Sequence, residues 1–213
     1  MFPTSVSSLT HTRLPRGPHH LGREEVRASQ RGRLLDAMAE AVADKGYPAT
    51  TVADVIARAG VSRKTFYEQF TDKEDCFLTA YDAGVDLLLG AVREAGSDEG
   101  DLLERARKRT RAYLETLASE PAFARTFMIE VDAAGPAARE RRDAIHDRFA
   151  GLLREQVEAA GLPEQPPEIY LAAVGATDLL VSREVARGRT AELPQLVELV
   201  LQVQLSLLAG IRL

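Results

Sequence analysis

Ser62, Arg63, Lys64, Thr65, Tyr67 and Gln69 fall within the twelve residues AGVSRKTFYEQF at 59–70. Two cations, two aliphatic hydroxyls, a phenol and an amide in so short a span can donate to anionic oxygens and to base edges. Arg63 and Lys64 can pair with guanine O6 and N7 or contact phosphate. Thr65 can meet a thymine methyl or donate to a phosphate. Tyr67 and Lys73 suit backbone contacts, and Thr51 is a further phosphate anchor. The competing reading is a solvated face on a helical bundle, and residue types alone leave it open.

These residues need rigid support, and the intervening apolar positions supply it. Val52, Val55, Ile56, Val61, Phe66 and Phe70 can share a core with Leu35 and Met38 from an earlier helix over 24–45. Gly46 ends that helix. Thr51, with Asp54 three residues on, forms a capping box for a helix over 52–59. Gly60 stops it, and Ser62 caps a second helix over 63–69. Two short helices joined by a tight Gly-containing turn form a helix-turn-helix. In such units the second helix enters the major groove. Thr71 with Glu74 reads as another capping box, opening a longer helix over 72–95.

The chain is expected to be all-α, since no window shows sustained strand alternation. Gly96–Gly100 reads as a linker. Five further helical segments follow, at 101–118, 121–132, 136–160, 167–188 and 193–211, punctuated by Pro121, Gly135-Pro136, Gly161, Pro166-Pro167, Gly188 and Pro194. Residues 1–22 carry three prolines and little apolar material, which predicts a disordered N-terminal arm. The expected organisation is this arm, a helix-turn-helix domain at 23–71, and a linking helix with a helical body at 72–213.

Charge divides along the same line. Residues 1–73 hold 11 Lys+Arg against 8 Asp+Glu, whereas 74–213 hold 16 against 24, within an overall net charge of −5. A basic end with an acidic remainder implies an anionic partner for the front domain. The single cysteine, Cys76, fits a reducing compartment and a cytoplasmic location. No apolar run approaches the roughly 20 residues a membrane span needs. HExxH, GxSxG and Gly-rich phosphate loops are missing, and three of the four histidines lie in the arm. No enzyme, cofactor or metal centre is expected.

The body offers candidates for a small-molecule site: Tyr113, Phe127, Met128, Phe149, Tyr170 and Asp178, with Tyr81, Leu88 and Phe123 beside them. Glu130, Asp132 and His146 are polar groups set among apolar residues. An acid such as Asp178 inside AVGATDLLV needs a partner, and Arg109, Arg125 and Arg183 are the arginines considered for it. The last segment, LPQLVELVLQVQLSLLAGI, is apolar on nearly every face, and Ala172, Ala173, Gly175 and Ala176 permit close helix contact. A homodimer through the last two helices is the expected consequence.

The run GYPATTVADVIARAGVSRKTFYEQFTDKE at 46–74 resembles the DNA-binding domain of the TetR family of transcriptional regulators. The matching elements are Gly46-Tyr47, Thr50-Thr51-Val52, Ile56, Ala59-Gly60-Val61-Ser62, Thr65, Tyr67, Phe70 and Lys73-Glu74. The resemblance implies DNA contacts from Thr51, Ser62, Arg63, Lys64, Thr65, Tyr67 and Lys73. Lys64 stands where many members have Gly, and Gln69 where many have His. Residues 130–153 and 172–196 are similar to one large subgroup of that family, whose helical domain is expected to hold a small-molecule pocket and to dimerise through its last two helices. The implied function is a ligand-responsive repressor that releases a palindromic double-stranded DNA operator on binding an unknown effector. The alternative is a helical small-molecule binding protein that does not bind DNA.

Overall fold

The computed structural model describes residues 22–97 and 101–208, and these form helices without a strand among them. Residues 1–21 of the sequence-based arm and residues 98–100 of the Gly96–Gly100 linker lie outside the described residues. The front unit comprises α1 (Arg23–Lys45), α2 (Val52–Ala59) and α3 (Arg63–Tyr67). Leu34, Leu35, Met38, Ala41 and Val42 of α1 are buried against Val55, Phe66 and Phe70. Val52, Ile56 and Val61 pack around this core. Gly60 adopts φ +64° between α2 and α3, a left-handed conformation that suits glycine at this turn.

Local chemistry sets these boundaries. The Thr51 N–H donates to Asp54 at 2.8 Å, and the Asp54 N–H donates back to the Thr51 hydroxyl at 3.3 Å. Lys45 pairs with the same carboxylate at 2.5 Å. These hydrogen bonds hold Asp54 well below the usual carboxylate range. At the other ends of α2 and α3, arginines of α1 donate to terminal carbonyls. Arg33 reaches Ala59 O at 3.0 Å, Arg27 reaches Glu68 O at 3.3 Å, and Arg31 reaches Gln69 O at 3.3 Å. Cations at helix C-termini meet otherwise unpaired carbonyls and the negative end of the helix dipole.

Helix α4 (Lys73–Ala95) leaves the front unit and runs into the body. Its cap differs from the Thr71–Glu74 box expected from sequence. Asp72 is the N-cap, accepting from the Asp75 N–H at 2.9 Å, and Asp75 in turn accepts the Thr71 N–H at 2.8 Å. A carboxylate one residue later offers a competing acceptor, so the helix starts at Lys73. Cys76, in the first turn of α4, is fully buried.

The body continues with α5 (Leu102–Ser119), α6 (Pro121–Met128), α7 (Pro136–Ala159), α8 (Pro167–Ala186) and α9 (Val197–Leu208). Two segments read as continuous helices are broken. Ile129 ends α6 and a 3-10 helix spans Glu130–Ala134, while another 3-10 helix, Thr190–Leu196, precedes α9. Pro194 sits inside the latter, where it lacks the backbone N–H that a continuous α-helix would use. α4 packs on α5, α7 on α8, α8 on α9, and α6 lies against both α1 and α8. At its closest approach to α6, Gly84 leaves room for the Phe123 ring, since a methyl there would sit 1.7 Å from a ring carbon.

Candidate nucleic-acid interface and ligand cavity

The helix-turn-helix presents the expected donors at its surface. The Ser62 hydroxyl accepts the Thr65 N–H at 3.0 Å and lies 2.9 Å from the Thr65 hydroxyl. This fixes the first turn of α3 and leaves Arg63 and Lys64 projecting. The Lys64 side chain is 86% exposed, with Glu68 3.7 Å from its ammonium. Arg63 lies over the Tyr67 ring, 5.7 Å from its centroid, and Tyr67 is itself 48% exposed. Tyr67 thus holds its ring beside the Arg63 guanidinium with its polar tip free to reach solvent. Thr51 is exposed at the start of α2, its hydroxyl 2.5 Å from Asp54.

Two of the sequence-derived donors are engaged inside the fold. The Gln69 amide donates to Arg27 O at 3.2 Å, tying the end of the helix-turn-helix to α1. Lys73 donates to Tyr47 O at 2.9 Å and lies 4.0 Å over the Tyr47 ring. Burial pulls its pKa down. Arg27 and Arg31 of α1 likewise serve as scaffold.

The body encloses a cavity of about 110 Å³ among α4 to α9. Tyr113, Phe127, Met128, Phe149 and Asp178 line it, as do Tyr81, Leu88 and Phe123. Tyr170 does not. It is buried elsewhere, and its hydroxyl accepts the Gln165 N–H at 3.0 Å, pinning the connection into α8. Aromatic contacts run from this cavity toward the front unit. Tyr81 stacks on Phe127 at 4.9 Å, Phe127 meets Phe77 at 5.3 Å, and Phe77 meets Tyr47 at 4.9 Å.

Polar groups gather on one side. Asp178 faces His146, with 3.9 Å between Oδ1 and Nε2, and not the arginines considered from sequence. Burial pushes the Asp178 carboxyl up, opposed by the charges of His146 and Arg142. Burial and the nearby Asp178 push the Tyr81 and Tyr113 phenols up. Arg142, Arg109 and Gln156 also line the cavity. Sequence reasoning gave Arg142 and Gln156 no role and considered Arg109 only as a partner for Asp178, because their spacing along α5 and α7 matches that of an ordinary charged surface. Glu130 and Asp132 point elsewhere. Glu130 accepts the Tyr47 N–H at 3.2 Å, and Asp132 pairs with Arg142 at 2.8 Å.

The outer side of α8 and α9 is apolar and uncovered. Leu171, Leu179, Leu199 and Leu205 are 42%, 67%, 44% and 38% exposed, and Gly175 faces open space on α8.

Together these features define a helix-turn-helix protein whose helical body carries an internal cavity. Residues 34–80 match the family model for bacterial regulatory proteins of the tetR family. The HTH-type transcriptional activator FasR of Mycolicibacterium smegmatis is 33% identical over 101 residues, 47% of this chain and 46% of that protein. The chain thus spans less than half the length of that curated relative. Two solved structures share the fold more completely. The fatty acid degradation regulator FadR of Bacillus halodurans superposes with a TM-score of 0.75 at 21% identity, covering 86% of this chain and 96% of that one. FadR of Bacillus subtilis, in complex with stearoyl-CoA, gives 0.67 at 20% identity, covering 84% and 98%.

Proposed function

We propose that this protein is a ligand-responsive transcriptional regulator that binds a palindromic DNA operator as a homodimer and releases it on binding an effector. The observation that carries the reading is the α3 face. Ser62, Arg63, Lys64, Thr65 and Tyr67 are fixed by a cap and a packed core while their polar groups face outward. Thr51 flanks this face. The exposed leucines of α8 and α9 support dimerisation, because two copies of this surface would bury them and pair two recognition helices.

The cavity supports effector binding. Its lining is mostly apolar and aromatic, with a few polar groups, as small-molecule sites usually are. Relatives named for fatty acid regulation, one of them in complex with stearoyl-CoA, favour an effector with a long apolar portion. The route to the DNA is short. One side of α6 lines the cavity through Phe123, Phe127 and Met128. The other holds α1 through Thr126 Oγ1 donating to Ala39 O at 2.7 Å and Arg125 Nε donating to Ala43 O at 3.1 Å. A ligand that parts α4 from α6 would change the orientation of the front unit. Its affinity must differ between the two arrangements for release to occur.

The test is a gel shift with the DNA upstream of the protein's own gene, with and without added acyl chains. A specific shift that Lys64→Ala and Tyr67→Ala weaken is expected. No specific shift at low salt would leave the protein a small-molecule binder only.

A further inference from the structure

Beside the cavity lies a second recess of about 260 Å³, and the two share Val92, Arg109, Leu152 and Gln156. The recess is not apolar. Arg93 from the last turn of α4 and Arg105 and Arg109 from α5 line it, against the single carboxylate of Glu155. Three guanidinium groups thus converge where an apolar cavity meets its polar neighbour.

Two details show that this is more than a charged surface. Arg109 is held in place: its Nη2 donates to Gly96 O at 3.1 Å, and its stem crosses Gly96 where a methyl would come within 1.8 Å of Nε. Arg105 keeps its Nε buried with no hydrogen-bond partner among the described residues. A buried unpaired donor on a cation is unfavourable unless an acceptor meets it. Burial, with Arg105 alongside, also pulls the Arg109 pKa down.

We infer that Arg93, Arg105 and Arg109 form an anion subsite at the edge of the cavity. It receives the head group of an amphiphile whose apolar chain lies among Leu88, Phe149 and the other cavity residues. The inference rests on the cavity being the effector site. Guanidinium forks match both carboxylate and phosphate oxygens. The head is therefore a carboxylate, as on a free fatty acid, or a phosphate, as on an acyl thioester carrier.

Calorimetric titration with dodecanoate, dodecanoyl-coenzyme A and 1-dodecanol separates these. At least one anionic probe is expected to bind about tenfold or more tighter than the alcohol, and the stronger of the two identifies the head. That preference should shrink as salt rises, a measurement that needs no variant. Arg93→Gln with Arg105→Gln should reduce it to about threefold or less, and Arg93→Lys with Arg105→Lys should retain part of it. Alcohol binding as tight as both anions would overturn the subsite while leaving the cavity reading intact. A preference surviving in the Gln variant would also overturn it. If none of the three binds, the cavity reading fails and the subsite with it.

Discussion

The Glu130 carboxylate, on the 3-10 turn after α6, accepts the backbone N–H of Tyr47 at 3.2 Å across 83 residues of sequence. Tyr47 opens the turn between α1 and α2, and its carbonyl accepts from Lys73 at the start of α4. The turn that follows α6 and the start of α4 are thus both tied to one residue of the front unit. Glu130→Ala is expected to loosen this tie. Effector should then shift operator affinity by less than in the wild type, against the 5–150-fold or so that such couplings commonly reach. Operator dissociation constants with and without effector, measured for both proteins, decide it; an unchanged ratio refutes the role.

Lys64 projects from the α3 face with its side chain largely in solvent. Lys64→Ala should weaken operator binding and reduce the slope of log affinity against log salt by about 1, as loss of one phosphate contact does. Fluorescence anisotropy across a salt series reads both. A lower affinity with an unchanged slope would instead assign Lys64 to a base edge.

Gly84 and Phe123 are in direct contact, so Gly84→Ala forces the ring to move. The expected destabilisation is about 1–3 kcal/mol, the usual range for overpacking. Combining it with Phe123→Ala should give less than the sum of the single effects. Urea melts of the four proteins complete the cycle.

Asp178 makes stability depend on pH in a defined direction. Burial raises its folded pKa above the ordinary carboxylate value, against the lowering by His146 and Arg142 on α7, with Asp132 acting in the raising direction. Across the interval from the ordinary value up to the raised one, the folded state holds more protons than the unfolded state. Stability from this group therefore falls as pH rises through that interval. Asp178→Asn should remove that component. Denaturation midpoints of both proteins from pH 4 to 8 would show converging curves at the acidic end, and parallel curves would contradict the assignment.

Leu179 is the most exposed large apolar side chain on α8. Leu179→Glu places a charge in the surface proposed to join two copies. It should shift sedimentation toward monomer and lower operator affinity, since two half-sites would no longer be bound together. An unchanged sedimentation coefficient would move the interface elsewhere.

Sequence alone determined the helical class, most of the helix boundaries and the outward face of α3, though not the 3-10 breaks after α6 and before α9. Those features follow from short-range rules: Thr51 with Asp54, Gly60 and Ser62 set boundaries, and apolar spacing separates Phe66 and Phe70 from Arg63 and Lys64. Caps went wrong only where two acceptors compete within a residue, as at Thr71 and Asp72. Tertiary structure decided what each polar side chain meets. Gln69 and Lys73 turn inward because α1 and the Tyr47 turn pass beside them. Tyr170 is pinned beneath a loop and not beside the cavity, and Asp178 finds His146 from another helix. Arg109 becomes part of a recess only because α4 ends in a glycine that its stem can cross. Such partnerships depend on how helices distant in sequence are brought together, and helical periodicity, which reports only which face of one helix is buried, does not encode them.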